Sequence, residues 1–111
     1  MAAKLNETEA NALKGFIYRV VQLLGQDYLY SILFGSKARG EGRPNSDLDV
    51  ALIVNNLNHL IKREIIDIAY EEFLETGVDI SPVVFTRDDF ERLRDAGNPL
   101  FDEIERDKMM L

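Results

Sequence analysis

The sequence contains no cysteine, which excludes disulfide bonds and thiolate metal sites and makes the cytoplasm the expected location. No apolar run approaches the roughly 20 residues that a membrane-spanning helix requires. The polar residues Asn6, Glu7 and Glu9, close behind Met1, are not typical of a signal peptide. We therefore expect a cytoplasmic protein without a membrane anchor.

Basic residues are also scarce. There are 13 lysines and arginines against 20 acidic residues, which gives a net charge of −7. This charge disfavours sequence-independent binding to DNA, RNA or anionic lipid, so we expect no direct nucleic-acid binding; a basic protein partner is easier to accommodate. The Walker glycine-lysine pattern and the Gly-x-Gly-x-x-Gly fingerprint are both missing, which argues against P-loop and Rossmann nucleotide sites.

The length of 111 residues is enough for one hydrophobic core, and we expect a single domain over residues 1–111. Apolar periodicity, caps and turn formers predict the order α-β-β-α-β-α-α, an α/β (α+β) fold. The predicted elements are a helix at about Glu7–Gln26, strands at Tyr28–Phe34 and Asp47–Val54, a helix after Leu57, a strand at Val78–Phe85, and helices from Thr86 and from Asn98 into Met109 and Met110. The apolar run before Asn55 indicates a central strand, and Pro82 indicates an edge strand.

The most informative segment runs Phe34-Gly35-Ser36-Lys37-Ala38-Arg39-Gly40 and continues, after a turn-rich loop that includes Pro44 and Asn45, as Ser46-Asp47-Leu48-Asp49-Val50. Side chains two residues apart in a strand point to the same face, so Asp47 and Asp49 should lie side by side. Such paired carboxylates suit Mg²⁺, which commonly takes one or two carboxylates together with substrate phosphates. Asp79, near the start of the third strand, could complete a carboxylate triad or could be a solvent-exposed carboxylate.

Gly35 and Ser36 predict a phosphate-binding turn. Glycine allows a close approach of the backbone to a ligand, and Ser36 adds a hydroxyl where a short helix would begin, so that backbone N–H groups favour a triphosphate. Lys37 and Arg39 can add positive charge to the same pocket, and a salt bridge within the loop is the alternative for Arg39.

The pattern Gly35-Ser36, ten residues, then Asp47-Leu48-Asp49 resembles the signature of the nucleotidyltransferase superfamily related to DNA polymerase β, and the string up to Gly40 resembles its minimal branch, the MNT proteins. The resemblance covers about Ser31 to Phe85 and implies a small mixed sheet of about three strands with helices packed against it. It also implies that Gly35 and Ser36 hold the β and γ phosphates, that Asp47 and Asp49 bind two Mg²⁺ ions, and that Asp79 binds the catalytic metal and assists the attacking hydroxyl.

The same resemblance implies a function. Minimal members resemble antitoxins whose partner is a helical HEPN-domain RNase toxin, and some attach AMP to a tyrosine of that toxin. We therefore expect an antitoxin that uses ATP and Mg²⁺ to adenylylate a HEPN toxin from the adjacent gene, within a hetero-oligomer. The alternatives are a non-catalytic module that neutralises the partner by complex formation, and a sensor whose bound nucleotide changes its affinity for the partner.

Overall fold

The structure is a computed structural model that describes residues 5–43 and 46–111, so Pro44 and Asn45 of the predicted loop lie outside the described residues. Its helices and strands follow one another along the chain largely as predicted. They are α1 (Glu7–Leu24), a 3₁₀ turn (Gly25–Asp27), β1 (Tyr28–Phe34), α2 (Gly35–Ala38), β2 (Leu48–Val54), α3 (His59–Thr76), β3 (Ile80–Thr86), α4 (Arg87–Asp95), α5 (Pro99–Asp107) and β4 (Met109–Met110).

In the described part of the chain, each of the four longer helices begins at a side chain that accepts a hydrogen bond from the first turn. Asn6 caps α1 reciprocally with Glu9: the Asn6 side chain accepts from the Glu9 N–H at 2.8 Å, and the Glu9 carboxylate accepts from the Asn6 N–H at 2.9 Å. Helices α3, α4 and α5 have simpler caps, in which only the cap side chain accepts a hydrogen bond. The cap residues are Asn58, Thr86 and Asn98, respectively. The predicted helix starts at Thr86 and Asn98 are confirmed.

The sheet has the strand order β3-β2-β1-β4. Strand β1 runs antiparallel to both β2 and β4, whereas β2 and β3 are parallel, so the prediction of a mixed sheet is confirmed. Pro82 lies in β3 at the sheet edge, as its missing N–H requires. Strand β2 is an interior strand, and its residues from Val50 to Val54 are completely buried.

Within residues 5–43 and 46–111 the sheet contains four strands rather than about three. The prediction that the last helix runs into Met109 and Met110 is wrong. Helix α5 ends at Asp107, and the two methionines pair with Ile32 and Leu33 at the edge of β1. The backbone groups of Met109 and Met110 pair with β1, a strand that is distant in the sequence. This pairing outweighs the helical pattern of the local sequence. Helix α1 also ends two residues early, at Leu24, where Gly25 has a φ of +55°.

Helices cover both faces of the sheet. One face packs against α1 and α3 through Leu48, Val50, Leu52 and Val54 of β2, together with Phe16, Val20, Ile65 and other apolar residues. The opposite face packs against α4 and α5 through Ala51, Ile53, Phe90 and Ile104. Because side chains alternate along a strand, Asp49 shares the face of Ala51 and points toward the α4–α5 layer. No helix within residues 5–43 and 46–111 is both long and apolar enough to cross a membrane.

Candidate active site

The three predicted carboxylates, Asp47, Asp49 and Asp79, lie near the starts of β2 and β3. The two strands are parallel with Leu48 opposite Ile80 and Asp49 opposite Ser81. Asp47 and Asp79 therefore stand level with each other, each one residue ahead of its strand, and the Leu48 N–H donates to the Asp79 carbonyl at 2.9 Å. The prediction placed both residues within strands; they lie just before them, and parallel pairing brings them together.

Electrostatic interactions link these carboxylates in two pairs that share Asp47. Burial raises the pKa of Asp49, and the nearby charges of Asp47 and Glu103 raise it further, whereas Arg39 opposes them. Partial desolvation raises the pKa of Asp79, with further contributions from the charge of Asp47 and from a hydrogen bond to its side chain. Asp79 nevertheless remains exposed, so its carboxylate is accessible to a ligand. Like charges held this close favour protonation of one member or a bound cation.

Gly35 connects this carboxylate cluster to the predicted phosphate turn. Its φ of +79° lies in the left-handed region that side chains disfavour, and a Cβ atom at this position would collide with Oδ2 of Asp49. The Asp49 carboxylate therefore lies directly against the Gly35 backbone at the start of α2. The following loop folds back onto α2, because the carbonyl of Ser36 accepts from the N–H groups of Glu41 and Gly42 at 2.9 and 3.1 Å.

Lys37 does not join this site. Its ammonium lies 2.7 Å from the Glu9 carboxylate of α1, and the two side chains are only 3% and 6% exposed. Its aliphatic portion lies against Gly42, where a Cβ atom would come within 2.7 Å of Lys37 Cδ. A buried ammonium requires a paired carboxylate, and Glu9 provides it. The structure thus contradicts the predicted phosphate contact and assigns Lys37 a structural role between α2 and α1.

Arg39 lies beside the site but has acidic partners of its own. Its guanidinium donates to Glu41 at 3.0 Å and to Asp107 at 2.6 Å, which is the salt-bridge alternative considered from the sequence. Its positive charge also lies close enough to Asp49 to offset part of the increase in the pKa of that carboxyl. About a third of the side chain remains exposed, and contact with a phosphate stays a prediction.

Two residues of α5, Glu103 and Asp107, lie around the site and were not predicted from the sequence. Glu103 lies near Asp49, although its acidic segment is typical of a solvated helix face. The Asp107 side chain is 1% exposed and accepts hydrogen bonds from Arg39 and from Arg106, which hold its pKa below the usual value, the larger contribution coming from Arg106. Arg39 and Asp107 are 68 positions apart, so their pairing leaves no local signal in the sequence.

The donor chemistry of the site fits Mg²⁺. Oxygen ligands from one or two carboxylates suffice when substrate phosphates and water supply the rest, and Asp47 forms such a pair with Asp49. Among the described residues, no three or more acidic or histidine side chains are arranged as a ready-made metal cluster. Asp47 and Asp49 are the residues that would hold a metal here, and the two-ion triad that includes Asp79 stays a prediction.

Solved structures with the same fold include antitoxin complexes. A toxin–antitoxin structure with AMP-PNP superimposes with a TM-score of 0.58 at 21% identity, covering 86% of this chain and 68% of the other. A structure of the toxin–antitoxin pair MntA–HpeT gives 0.57 at 21% identity, with 97% and 72% covered. A minimal nucleotidyltransferase gives 0.55 at 22% identity, with 91% and 94% covered. At these identities the similarity shows the fold, and it confirms the predicted fold class.

Sequence comparison gives the family. A protein of Methanocaldococcus jannaschii that is named a protein adenylyltransferase is 36% identical over 80 residues, which cover 67% of this chain and 52% of that protein. The chain thus spans about half the length of this relative. The model of the nucleotidyltransferase domain family matches residues 13–108, a span that includes every residue predicted for the site. The chain belongs to the nucleotidyltransferase domain family, as predicted.

Proposed function

We propose that this chain is a Mg²⁺-dependent nucleotidyltransferase that transfers AMP from ATP to a hydroxyl of a partner protein. The observation that carries the proposal is the contact of Asp49 with the Gly35 backbone, which joins a carboxylate pair to a Gly-Ser turn. A site that must bind a metal and a triphosphate together needs these two elements side by side.

Each residue has a defined part in this proposal. Asp47 and Asp49 would hold Mg²⁺, which when bound offsets the charge that develops on the phosphate oxygens. Gly35 and Ser36 would receive the β and γ phosphates through backbone N–H groups. The acceptor oxygen forms a bond to the α phosphorus, pyrophosphate leaves with the electrons of the broken P–O bond, and Asp79 accepts the hydroxyl proton.

We further propose that the acceptor belongs to a HEPN-domain toxin, with a tyrosine as its hydroxyl, and that the chain acts as the antitoxin in a hetero-oligomer. Three observations support this proposal: the relative named a protein adenylyltransferase, the toxin–antitoxin complexes with the same fold, and the net charge of −7, which suits a basic protein partner. The alternative is a binding or nucleotide-sensing module that neutralises the same partner without transfer.

Mass spectrometry after co-expression with the adjacent gene product separates these functions. Incubation with ATP and Mg²⁺ should add about 329 Da per AMP to the partner, the mass fixed by adenylyl transfer. Asp47→Asn should abolish this gain and leave the fold intact, because Asp47 is exposed. Asp88→Asn, which changes an exposed aspartate of α4, should have no effect on transfer. Suppression of the partner's RNase activity without a mass gain, equally by wild type and Asp47→Asn, would establish stoichiometric inhibition instead.

Calorimetry and kinetics test the individual roles. ATP binding should weaken sharply in EDTA, and equal affinity with and without Mg²⁺ would contradict the metal assignment. Asp79→Asn should lower the maximal rate more than the affinity for ATP, because its proposed work is on the acceptor hydroxyl. A variant that loses ATP binding and keeps its maximal rate would remove Asp79 from that role.

A further inference from the structure

Helix α2 contains only the four residues Gly35–Ala38, so its conformation depends on the rest of the fold. A helix of this length is not stable on its own in water, because its first turn fixes many backbone angles for few hydrogen bonds. Its N-cap residue is Phe34, whose side chain has no oxygen to cap the helix. The turn that the proposed function assigns to the β and γ phosphates must therefore be held by tertiary contacts.

The ion pair of Lys37 with Glu9 ties α2 to a large element of the fold. Lys37 directly follows Ser36, and its ammonium lies 2.7 Å from Oε2 of Glu9. Oε1 of the same carboxylate accepts a hydrogen bond from the Asn6 N–H at 2.9 Å, so each oxygen has a defined partner. Helix α1, which carries Glu9, is 18 residues long and packs one face into the core. The pair thus fastens a one-turn helix to a long, well-packed one.

The same lysine side chain supports the loop that closes the turn. The Ser36 carbonyl accepts hydrogen bonds from the N–H groups of Glu41 and Gly42. Gly42 lies on the aliphatic stem of Lys37, since a Cβ atom at Gly42 would come within 2.7 Å of Cδ and 3.0 Å of Cγ. A displacement of Lys37 would therefore release α2 and the returning loop together.

We propose that the Glu9–Lys37 ion pair positions the phosphate-binding turn: it keeps the segment 35–42 in the conformation that receives a triphosphate, without contacting the nucleotide. The pair is electrically neutral, so it acts on binding through pre-organisation rather than through attraction. Buried ion pairs often add little net stability, and in some proteins they select one arrangement among several. This inference rests on the proposed function for its ligand, whereas the conformation of the turn is measurable without nucleotide.

The test compares wild type with the double variant Glu9→Gln/Lys37→Met, which removes both charges and leaves the net charge unchanged. Glutamine can still accept from the Asn6 N–H, so the cap of α1 is retained. No charge is left buried alone, so the double variant should stay folded. Amide hydrogen exchange of Glu41 and Gly42 should be faster than in wild type, whereas exchange of the β2 amides should follow the stability measured in urea.

Nucleotide binding and transfer give the second readout. Calorimetry with ATP and Mg²⁺ should show about tenfold weaker binding by the double variant, the factor expected if the turn is competent for roughly a tenth of the time. KM for ATP should rise by a similar factor with little change in the maximal rate, because the turn holds the phosphates in the ground state and the transition state alike. A purely structural role would lower stability and leave the ATP affinity of the folded protein unchanged.

Gly42→Ala tests the same contact without removing a charge. Its Cβ atom would push against the stem of Lys37 and should also weaken ATP binding, and this variant decides the inference if the double variant unfolds. Gly15→Ala is the matched control. A Cβ atom at Gly15 of α1 would likewise come within 2.7 Å of a buried side chain, that of Glu72, which belongs to α3 rather than to the turn. Neither glycine has a positive φ, and Gly15→Ala should bind ATP like wild type.

Each outcome decides the inference. Unchanged exchange of Glu41 and Gly42 in the double variant would overturn it, and so would faster exchange with unaltered affinity for ATP. Equally weakened binding by Gly15→Ala and Gly42→Ala would overturn it as well. Absence of ATP binding to wild type would instead remove the proposed function, and the exchange measurement would then show by itself whether the ion pair holds the turn.

Discussion

The substitution Gly35→Ala tests the contact that joins the carboxylates to the proposed phosphate-binding turn. It should have two separable effects. The φ of +79° costs a residue with a side chain roughly 1–2 kcal/mol. The added Cβ would also collide with Oδ2 of Asp49, so that carboxylate must move. A shift of about 1 Å in a catalytic group can cost roughly 100-fold in rate, and we expect a loss of AMP transfer of that order.

Gly97→Ala is the matched control for the backbone effect. Gly97 has a φ of +67° in the connection between α4 and α5, and a Cβ atom there would meet nothing within 4 Å. Both variants should therefore lose similar stability. With a urea dependence of about 2 kcal/mol per molar, the denaturation midpoint should fall by roughly 0.5–1 M in each.

Transfer assays then distinguish the two variants, since only Gly35→Ala displaces Asp49. Full transfer by folded Gly35→Ala would refute the claim that this contact positions the site. Equal losses of transfer in Gly35→Ala and Gly97→Ala would refute it as well, because the loss would then follow stability alone.

Two further predictions concern the ion pairs around the site. Lys37→Met should lower the free energy of unfolding in urea by about 3–5 kcal/mol, because it leaves the Glu9 carboxylate buried without its counter-ion. The double variant with Glu9→Gln should recover much of this loss, and an equal or larger loss would contradict the ion-pair explanation. Asp107→Asn should remove part of the acid sensitivity of the fold. The pKa of Asp107 is lowered in the folded state, so its contribution to stability is present above about pH 3.9 and is lost as the pH falls through the folded-state pKa. The stability difference between wild type and Asp107→Asn should thus shrink on acidification, and a difference that stays constant would argue against this assignment.

The parts of the site that a local pattern encodes were predictable from the sequence. Gly35, Asp47 and Asp49 lie within one short stretch, and strand alternation predicts that the two aspartates share one face, although Asp47 lies one residue before β2. The strand β1 and the cap at Asn6 were also predictable, since both depend on residues at most a few positions apart.

The remaining features depend on contacts between distant segments. Lys37 sits among phosphate-binding candidates, and only the packing of α1 against α2 shows that Glu9 takes its charge. Glu103 approaches Asp49 because α5 crosses that face of the sheet. Met109 and Met110 continue an apolar pattern that fits a helix, whereas their pairing with β1 is determined by the position of the sheet edge.

The short strand β4 affects how the edge of the sheet can pair with another chain. An uncovered sheet edge is a template on which a second molecule can add a strand, and such pairing leads to aggregation. On one side, β4 lies against Ile32 and Leu33, and the Leu111 N–H continues the cover by donating to the Ser31 carbonyl at 3.0 Å. On the other side, Pro82 interrupts the row of N–H donors along β3. Both margins of the sheet thus carry a feature that limits the pairing of a further strand: a partner strand of only two residues on the β1 side and a proline in the edge strand on the β3 side.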